Sequence, residues 1–286
     1  MELSVIIISF NVREYLKQAL VSVNEATKRI EHEIIVVDNH SSDGSDEMVR
    51  CEFKPVKLIA SGSNEGFSAA CNRGIRASSG DFVLILNPDT VVAPDAIRRA
   101  LSFMHTHDDA GAAGARLTDG NGRFLPESKR GFPSPFTSLF KFSGLGRLFP
   151  RSSFFNAYYL GDLPENEVCK ADILTGAFML IRREALDKTG LFDTSFFLYG
   201  EDIDMSWRIR KAGYYNYYLP DVNVVHFKGK SAEIEKHSSV IHFYNAMRIF
   251  AGKHLKRGWH MPVKSMVTLL EKATLASMRV KQLIKK

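Results

Sequence analysis

The sequence has few of the features that mark secreted, zinc-bound or membrane-spanning proteins. Its three cysteines, Cys51, Cys71 and Cys169, lie far apart and form no Cys-x-x-Cys pair, so neither a disulfide framework nor a cysteine zinc site is expected. No uninterrupted apolar run reaches the roughly eighteen residues that a membrane-spanning helix needs. The apolar opening segment, residues 3–10, has neither a basic flank nor a cleavage site and predicts a buried strand. A reducing cytoplasm is therefore the expected location.

Several well-defined catalytic signatures are also missing from the sequence. It contains no P-loop, no dinucleotide-binding Gly-x-Gly-x-x-Gly, no His-Glu-x-x-His, no Gly-x-Ser-x-Gly and no protein-kinase motif. Zinc proteases, α/β-hydrolases and protein kinases are therefore disfavoured. The composition that remains, 45% hydrophobic and 24% charged, is that of an ordinary globular protein with a sizeable core.

Positive charge is concentrated at the C-terminal end of the chain. Residues 251–286 hold nine Lys or Arg and the single acid Glu271, a net charge of +8, whereas the whole chain has a net charge of +6. Apolar residues recur in this segment at near-helical spacing, which is typical of an interfacial helix and equally of a helix docked on protein. The segment therefore predicts contact with an anionic surface, lipid headgroups or nucleic acid, or else a packed helix with a solvated basic face.

The first third of the chain alternates strand-like and helix-like segments. Its apolar runs are continuous, as expected when helices cover both faces of a parallel sheet. The runs are residues 5–8, 34–37, 57–60 and 82–86, and the helical segments lie near 13–28, 44–50, 67–78 and 94–106. This rhythm predicts an α/β fold with a doubly wound sheet. Ligands of such sheets bind beyond the carboxyl ends of the strands, where the strand order reverses.

The pattern changes after residue 110. Residues 126–160 are rich in Phe, Pro, Ser and Arg and predict an insertion outside the sheet. Regular patterning resumes with an apolar run at 176–181, a helix from about 202 to 211 and a strand-like run at 223–225. Two final helices are predicted, from about 233 to 253 and from 263 to 284.

A carboxylate follows the fourth predicted strand. Pro88 forces Asn87 into an extended conformation that ends the strand, so Asp89 is expected to point into the crevice. A divalent cation that bridges a diphosphate needs few protein ligands, and one carboxylate with one imidazole would suffice for Mg²⁺ or Mn²⁺. His226, at the end of a strand-like run, is a candidate for that imidazole. A turn at Asp89 and a packing histidine are the alternatives.

An acidic cluster, Glu201, Asp202 and Asp204, begins a predicted helix. Carboxylates at a helix N-terminus are stabilised by the helix dipole, which accounts for one acid, but three acids within four residues exceed what helix capping needs. One of them is therefore a candidate general base. The preceding aromatic and glycine residues, 196–200, are expected to form a wall of the acceptor pocket, and Glu201 and Trp207 are predicted to contact the acceptor.

Two loops have the composition of phosphate- or nucleotide-binding segments. Residues 62–74 place glycines and amides at a strand-to-helix junction, which suits close approach of a nucleotide. Lys228 and Lys230 follow His226 and are candidates to meet phosphate oxygens, although a solvated basic turn explains them equally.

Taken together in chain order, these segments resemble family 2 glycosyltransferases of the GT-A fold, in the rhamnosyltransferase-like branch that builds bacterial surface polysaccharides. The resemblance covers about residues 3–250, and its most specific segments are 7–11, 36–39, 64–67, 86–89, 175–178 and 200–204. It implies a doubly wound mixed sheet flanked by helices, with helices at the C-terminus. It also implies a catalytic domain over 1–250, with a nucleotide-binding half at 1–110, an acceptor-binding half at 111–250 and a basic amphipathic helical segment at 251–286.

The resemblance also implies roles for individual residues. Asp202 matches the catalytic base of the family, and Asp89 and His226 match its metal and diphosphate ligands. Many relatives carry Asp-x-Asp where this chain has Asn87-Pro88-Asp89, so the first acidic ligand is missing. The residues expected to bind the nucleotide are Ser9, Asn11, Asp38, Asn64, Gly66, Asn72 and Asn87.

The function implied by the resemblance is transfer of a sugar, with rhamnose as the family-level expectation, from a UDP- or dTDP-linked donor to a hydroxyl group with inversion. The expected cofactor is Mg²⁺ or Mn²⁺, and the expected acceptor is a saccharide or lipid-linked saccharide at the inner face of the cell membrane. Peripheral membrane contact is expected and a nucleic-acid partner is not. A non-catalytic module that binds nucleotide sugars or polyanions is the alternative. A nucleotidyltransferase is disfavoured because no early glycine-rich loop carries a lysine.

Overall fold

The computed structural model describes residues 1–134, 136–137, 140, 144–227, 236–255 and 258–284. Lys228 and Lys230, the predicted phosphate contacts, lie outside the described residues.

Strands and helices alternate over the first 106 residues, close to the predicted bounds. In chain order the elements are β1 (Leu3–Ser9), α1 (Arg13–Thr27), β2 (His32–Asp38), α2 (Ser45–Glu52), β3 (Lys57–Ala60), α3 (Phe67–Arg76), β4 (Phe82–Leu86), β5 (Thr90–Val92) and α4 (Ala96–Thr106).

The second half of the chain completes the sheet and adds a helical C-terminus. Its elements are β6 (Ala110–Thr118), the short α5 (Leu145–Leu148), β7 (Cys169–Ala171), β8 (Phe178–Arg182), α6 (Arg183–Thr189), α7 (Glu201–Lys211), β9 (Tyr215–His226), α8 (Lys236–His254) and α9 (His260–Ile284). The described part of the 126–160 segment contributes no strand, as expected of an insertion outside the sheet.

The described strands form one mixed sheet in the order β3-β2-β1-β4-β8-β6-β9-β5, with β7 paired to β9. β1 is parallel to β2 and to β4, and β2 is parallel to β3, whereas β8 runs antiparallel to β4 and β6. The chain moves outward from β1 to β3 and then returns to the other side of β1 with β4. The strand order therefore reverses between β1 and β4, where a doubly wound sheet binds its ligand.

Helices cover both faces of the sheet, which explains why the strands are continuously apolar. Leu3, Val5 and Ile7 of β1 belong to the core that also holds α1 and α4, and Ile6 and Ile8 belong to the core that holds α3 and α7. All five side chains are buried, so neither face of β1 needs polar residues.

β6 and most of β9 were not predicted, because neither strand has the apolar pattern of β1 or β4. β6 is rich in Ala and Gly, residues with weak strand propensity. A Cβ on Gly114 would lie 2.7 Å from the Leu174 side chain, so close packing requires the small residue. β9 begins at Tyr215, eight residues before the predicted run, and contains the buried Asn216, whose amide donates to the carbonyl oxygens of Asp172 and Ser206.

The two C-terminal helices pack against each other and against the aromatic segment before α7. Arg248 of α8 forms a 2.6 Å ion pair with Glu271 of α9, and Tyr244 bonds Thr274 at 2.7 Å. Phe250 of α8 packs on Phe196. The inner face of the basic segment is thus a packed one, whereas Met261 and Leu269 on α9 are exposed. Among the described helices, none is long and apolar enough to cross a membrane.

Candidate active site

The carboxyl ends of β1 and β2 form one edge of the crevice. Asn11 has a left-handed backbone (φ 53°), and its side-chain oxygen accepts a 2.7 Å hydrogen bond from the Ser42 amide. Asp38 is 3% exposed and accepts a bond from the Ser41 amide at 2.9 Å. Its second oxygen and the hydroxyl of Ser9 are buried without a protein partner within the described ranges. Buried polar atoms of this kind are expected to meet a ligand or water.

A pair of asparagine amides fixes the loop that follows β3. Asn39 donates to the Asn64 side-chain oxygen at 2.8 Å, and the same oxygen accepts the Gly66 amide at 3.0 Å. Gly66 has φ +83°, and a Cβ there would lie 2.6 Å from the Phe197 carbonyl oxygen. The next amide, of Phe67, donates to that carbonyl at 2.7 Å. The predicted nucleotide loop is therefore joined to β2 on one side and to the aromatic segment before α7 on the other.

The side chain of Asn72 hydrogen-bonds within the protein. Its side chain is 2% exposed, donates to the Phe192 carbonyl at 2.8 Å and accepts the Phe192 amide at 2.8 Å. Because both ends of the amide are used, Asn72 fastens α3 to the segment before α7, and contact between Asn72 and a nucleotide stays a prediction.

Asp89 and His226 lie side by side where β5 pairs with β9. Thr90 is opposite His226 in that pairing, and the Phe227 amide donates to the Asp89 carbonyl at 2.9 Å. The imidazole Nε2 is 3.3 Å from Asp89 Oδ1, and both side chains are more than nine-tenths buried. Two residues far apart in sequence are therefore held together by one strand pairing.

The Asp89–His226 pair fits a metal ion that keeps most of its ligands from outside the protein. His226 Nδ1 is buried with no partner among the residues described. No group of three or more His, Cys, Asp or Glu that could hold a metal occurs in the described part of the chain. A carboxylate and an imidazole together suit a divalent ion such as Mn²⁺, whose remaining positions would be filled by diphosphate oxygens and water.

The three acids of α7 have different partners. Asp204 bonds Arg208 and His254, each at 2.8 Å; burial acts to raise the pKa of Asp204, but these two partners outweigh it and hold the pKa below its usual value. Asp202 forms a 2.5 Å salt bridge with Arg130 and accepts the Ile203 amide at 2.8 Å. Asp204 is thereby a structural anchor for the helix, whereas Asp202 remains 14% exposed at its first turn.

Glu201 is 8% exposed, and its Oε2 is buried without a partner in the described structure. Burial, and after it the negative charge of Asp202, raises the pKa of Glu201 to about 8. Near neutral pH Glu201 is therefore a protonated carboxyl group, which can donate a hydrogen bond beside Asp202.

The segment just before β8 connects these groups. The Asn87 amide donates to the Ala177 carbonyl at 3.1 Å, which joins the loop of Asp89 to this segment. A Cβ on Gly176 would lie 3.9 Å from the Asp202 Cβ and 3.8 Å from the Phe67 ring. The metal-binding candidate loop, the nucleotide loop and Asp202 thus all border residues 176–177.

Trp207 packs away from the first turn of α7. Its ring meets Phe132 edge-on at 4.6 Å between centroids and lies 5.3 Å from the His254 ring. These contacts join the 126–160 segment, α7 and α8, and contact between Trp207 and an acceptor stays a prediction.

Arg130 is the residue at this site that sequence reasoning missed. It is 9% exposed and donates to the Leu174 carbonyl at 3.0 Å as well as to Asp202. Burial opposes its charge, but attraction to Asp202 outweighs burial and raises the pKa of Arg130. The aromatic and basic composition of 126–160 predicted an insertion, and no spacing within it pointed to Asp202, which is 72 residues later.

Comparison with known sequences identifies one family. The model of glycosyl transferase family 2 matches residues 4–190. The N-acetylglucosaminyl-diphospho-decaprenol L-rhamnosyltransferase of Mycobacterium tuberculosis is 29% identical over 92% of this chain and 88% of its own length. The rhamnosyltransferase WbbL of Escherichia coli is 25% identical over 78% of this chain and 82% of its own length.

Comparison with solved structures shows the same fold. The mannosyltransferase PcManGT from Pyrobaculum calidifontis, solved with GDP-Man and Mn²⁺, has a TM-score of 0.61 at 19% identity and covers 99% of this chain and 80% of its own. Residues 1–349 of S. aureus TarS, solved with UDP-GlcNAc, have a TM-score of 0.60 at 18% identity and cover 94% of this chain and 72% of their own. The predicted GT-A architecture is thus confirmed.

Proposed function

Given that the chain belongs to glycosyl transferase family 2, we propose that this glycosyltransferase inverts the anomeric configuration as it transfers one sugar from a nucleoside diphosphate sugar to an acceptor hydroxyl. The observation that carries the proposal is the position of residues 176–177, which border the Asp89 loop, the nucleotide loop and Asp202. The binding sites for the leaving diphosphate and the nucleoside, and the catalytic base Asp202, would then surround one sugar.

The donor is proposed to bind across the carboxyl ends of β1, β2 and β4. The unpartnered oxygen of Asp38 and the hydroxyl of Ser9 are available to the base and ribose, next to Asn11. Asn64 and Gly66 fix the loop that would follow the nucleotide. Asp89 and His226 would hold Mg²⁺ or Mn²⁺, which when bound supplies positive charge to the departing diphosphate.

Asp202 is proposed to accept the proton of the acceptor hydroxyl as its oxygen attacks the anomeric carbon. Attack from the side opposite the diphosphate inverts that carbon. Glu201, protonated near neutral pH, would donate a hydrogen bond to the acceptor rather than compete as a second base. Arg130 orients Asp202 through the 2.5 Å salt bridge.

The relatives suggest the donor sugar and the acceptor class. Both bacterial relatives are rhamnosyltransferases, and the mycobacterial one is named for a saccharide linked to a lipid diphosphate. We therefore propose rhamnose, carried by dTDP or UDP, as the donor sugar and a lipid-linked saccharide of surface polysaccharide synthesis as the acceptor. Trp259, Met261 and Leu269 are exposed on and beside the basic helix α9, which supports peripheral contact with the inner membrane face.

A donor panel tests the reaction class, the donor and the metal together. The full chain is given UDP- and dTDP-linked sugars with lipid-linked saccharide acceptors, in Mg²⁺, Mn²⁺ or chelator, and products are measured by mass spectrometry. We expect Asp202→Asn to lower kcat about 10²–10⁴-fold while nucleotide binding persists.

The matched control is Asp187→Asn, an exposed aspartate on α6, which should transfer sugar at the wild-type rate. Nucleotide binding without turnover for every donor would favour the non-catalytic module instead.

A further inference from the structure

An apolar cleft of about 100 Å³ lies beside the acidic cluster. Three parts of the chain wall it: Pro133 and Tyr158 of the 126–160 segment, Tyr199 and Ile203 on either side of Glu201 and Asp202, and Phe250 and Met266 of the C-terminal helices. A nucleotide or a free sugar would leave its polar groups without partners on such walls. The cleft therefore suits an apolar group that is joined to the substrate.

Arg130 lies between this cleft and Asp202. Its Nη2 bonds Asp202, and the guanidinium also interacts with Tyr158, a wall residue of the cleft. Its Nε is buried with no hydrogen-bond partner within the described residues. A guanidinium presents paired donors that match phosphate oxygens. The order is thus the carboxylate of Asp202, a guanidinium whose buried Nε has no partner within the described residues, and the apolar cleft.

We propose that Arg130 and the apolar cleft form an acceptor subsite for an isoprenoid diphosphate. The saccharide hydroxyl would lie at Asp202, a diphosphate oxygen at Arg130 and the first isoprene unit against Tyr158 and Ile203. This inference rests on the proposed function, because it specifies how the lipid-linked acceptor is held.

The volume of the cleft limits what it holds. A protein cavity of about 150 Å³ holds one benzene molecule, so a cleft of about 100 Å³ takes the first part of a lipid chain and leaves the rest outside. Phe136 and Trp259, both exposed, lie next to the walls with their ring centroids 6.2 Å apart. These rings provide an apolar surface along which the chain can continue into a bilayer.

The subsite also gives the Arg130–Asp202 salt bridge a function. A diphosphate at Arg130 competes with the Asp202 carboxylate for the same guanidinium, and so releases Asp202 Oδ2 toward the acceptor hydroxyl. Binding of the acceptor would thereby prepare the base that acts on it.

Farnesyl diphosphate is the probe for this subsite. Its binding to the full chain is measured by calorimetry with excess nucleoside diphosphate present, so that the donor site does not take up the probe. Farnesol and inorganic diphosphate are measured in parallel, and each is expected to bind at least about tenfold more weakly because it supplies one half of the interaction.

Two variants address the two halves separately. Val263→Phe fills the cleft from a half-buried position, and Arg130→Gln removes the cation. Each variant should bind farnesyl diphosphate at least about tenfold more weakly than the wild type does. Leu269→Phe, on the same helix but 68% exposed and away from the cleft, is the matched control and should bind as the wild type does. Met266→Lys is a second cleft variant should Val263→Phe fold poorly.

Unchanged farnesyl diphosphate affinity in folded Val263→Phe or Met266→Lys overturns the subsite. So does transfer to a lipid-free saccharide that equals transfer to the lipid-linked one. In both cases the proposed function stands, because donor turnover continues. A chain that binds farnesyl diphosphate in the cleft but transfers no sugar from any donor would retain the subsite and lose the proposed function.

Discussion

Glu201, Asp202 and Asp204 lie within four residues, yet each balances its charge differently. Asp204 has Arg208 and His254, Asp202 has Arg130, and Glu201 has no cation in contact among the residues that the structure describes. A buried carboxyl without a cation lowers its electrostatic cost by keeping its proton, which is why the pKa of Glu201 rises to about 8. Burial and partners alone thus make Asp204 a structural anchor, and they suit Asp202 to the proposed role of base and Glu201 to the proposed role of hydrogen-bond donor.

The raised pKa of Glu201 makes stability depend on pH. Between its ordinary value of 4.5 and about 8, the unfolded chain has released this proton and the folded protein has not. The contribution of Glu201 to stability is therefore full below pH 4.5 and is lost as pH rises toward 8. Glu201→Gln cannot titrate, so relative to this variant the free energy of unfolding of the wild type should fall by on the order of 3 kcal/mol between pH 5 and pH 8.

Urea unfolding of both proteins at these two pH values measures the difference, and all other titrating groups cancel between them. A wild-type-minus-variant difference that stays constant with pH would mean that Glu201 is already ionised in the folded protein.

The Asp89–His226 pair gives a test of the proposed metal site. Asp89→Asn removes a charged oxygen ligand and His226→Gln removes the imidazole, so each should weaken Mn²⁺ binding about tenfold or more in the presence of nucleotide. Paramagnetic resonance of free Mn²⁺ measures binding independently of turnover. His105→Gln is the control, because His105 is exposed and bonds Glu2. Equal Mn²⁺ affinity in all three variants would place the metal elsewhere.

At the scale of elements, apolar runs predicted the strands that helices cover on both faces. β1, β2 and β4 could be read from sequence because burial on both faces gives each of them a continuous apolar run. β6 could not, because its Ala and Gly residues accommodate neighbours such as Leu174 rather than fill space. Hydrophobicity thus predicts the bounds of a strand whose own side chains fill the core. It does not predict a strand whose small residues make room for large side chains of another element.

The site was predictable to the extent that it follows from strand ends. Ser9, Asp38 and Asp89 each come directly after or at the end of a strand, and the ends of neighbouring parallel strands share one edge. Arg130 reaches Asp202 from an irregular segment, through a bridge between Arg130 and Ile173. A contact of that kind depends on the path of the loop in three dimensions, and no periodicity encodes it.

The turn before α3 gives a test at this scale. Gly66→Ala places a Cβ 2.6 Å from the Phe197 carbonyl at a residue with φ +83°, so both a clash and backbone strain are introduced. Gly44→Ala meets similar strain, φ +79°, with nothing within 4 Å, and is the matched control. We expect the free energy of unfolding to fall by about 1 kcal/mol in Gly44→Ala and by about 2–4 kcal/mol in Gly66→Ala.

Thermal or urea unfolding measures both losses, and nucleotide binding should weaken in Gly66→Ala alone. Equal losses in the two variants would show that contact between the nucleotide loop and Phe197 contributes little to the fold.

At the scale of the whole molecule, charge and apolar surface coincide. Residues 251–286 have a net charge of +8, which leaves −2 for residues 1–250. The described part of this segment also exposes Trp259, Met261 and Leu269, while Val267 is fully buried against the protein. One face of the α8–α9 hairpin thus packs against the protein, and the other combines basic residues with exposed apolar side chains, the composition of an interfacial surface.

This asymmetry predicts how the full chain partitions between solution and lipid vesicles. The full chain should bind vesicles that contain anionic lipid and should bind zwitterionic vesicles weakly. Its affinity for anionic vesicles should fall as the salt concentration rises, because salt screens the attraction between surface charges. Each Lys or Arg near an anionic surface contributes about 1 kcal/mol to the free energy of membrane binding. Lys272→Glu should therefore weaken vesicle binding about five- to thirtyfold. Lys54→Glu, an exposed charge reversal in the loop between α2 and β3, should leave vesicle binding unchanged.

Co-sedimentation measures the partition, and fluorescence of the exposed Trp259 in a Trp207→Phe background reports whether that ring enters the lipid. If Lys54→Glu weakens vesicle binding as much as Lys272→Glu does, attraction is a property of the net charge of +6 and not of this surface. Loss confined to Lys272→Glu, together with a blue shift of Trp259 fluorescence, would orient the α8–α9 hairpin and the apolar cleft toward the membrane, where the proposed lipid-linked acceptor would lie.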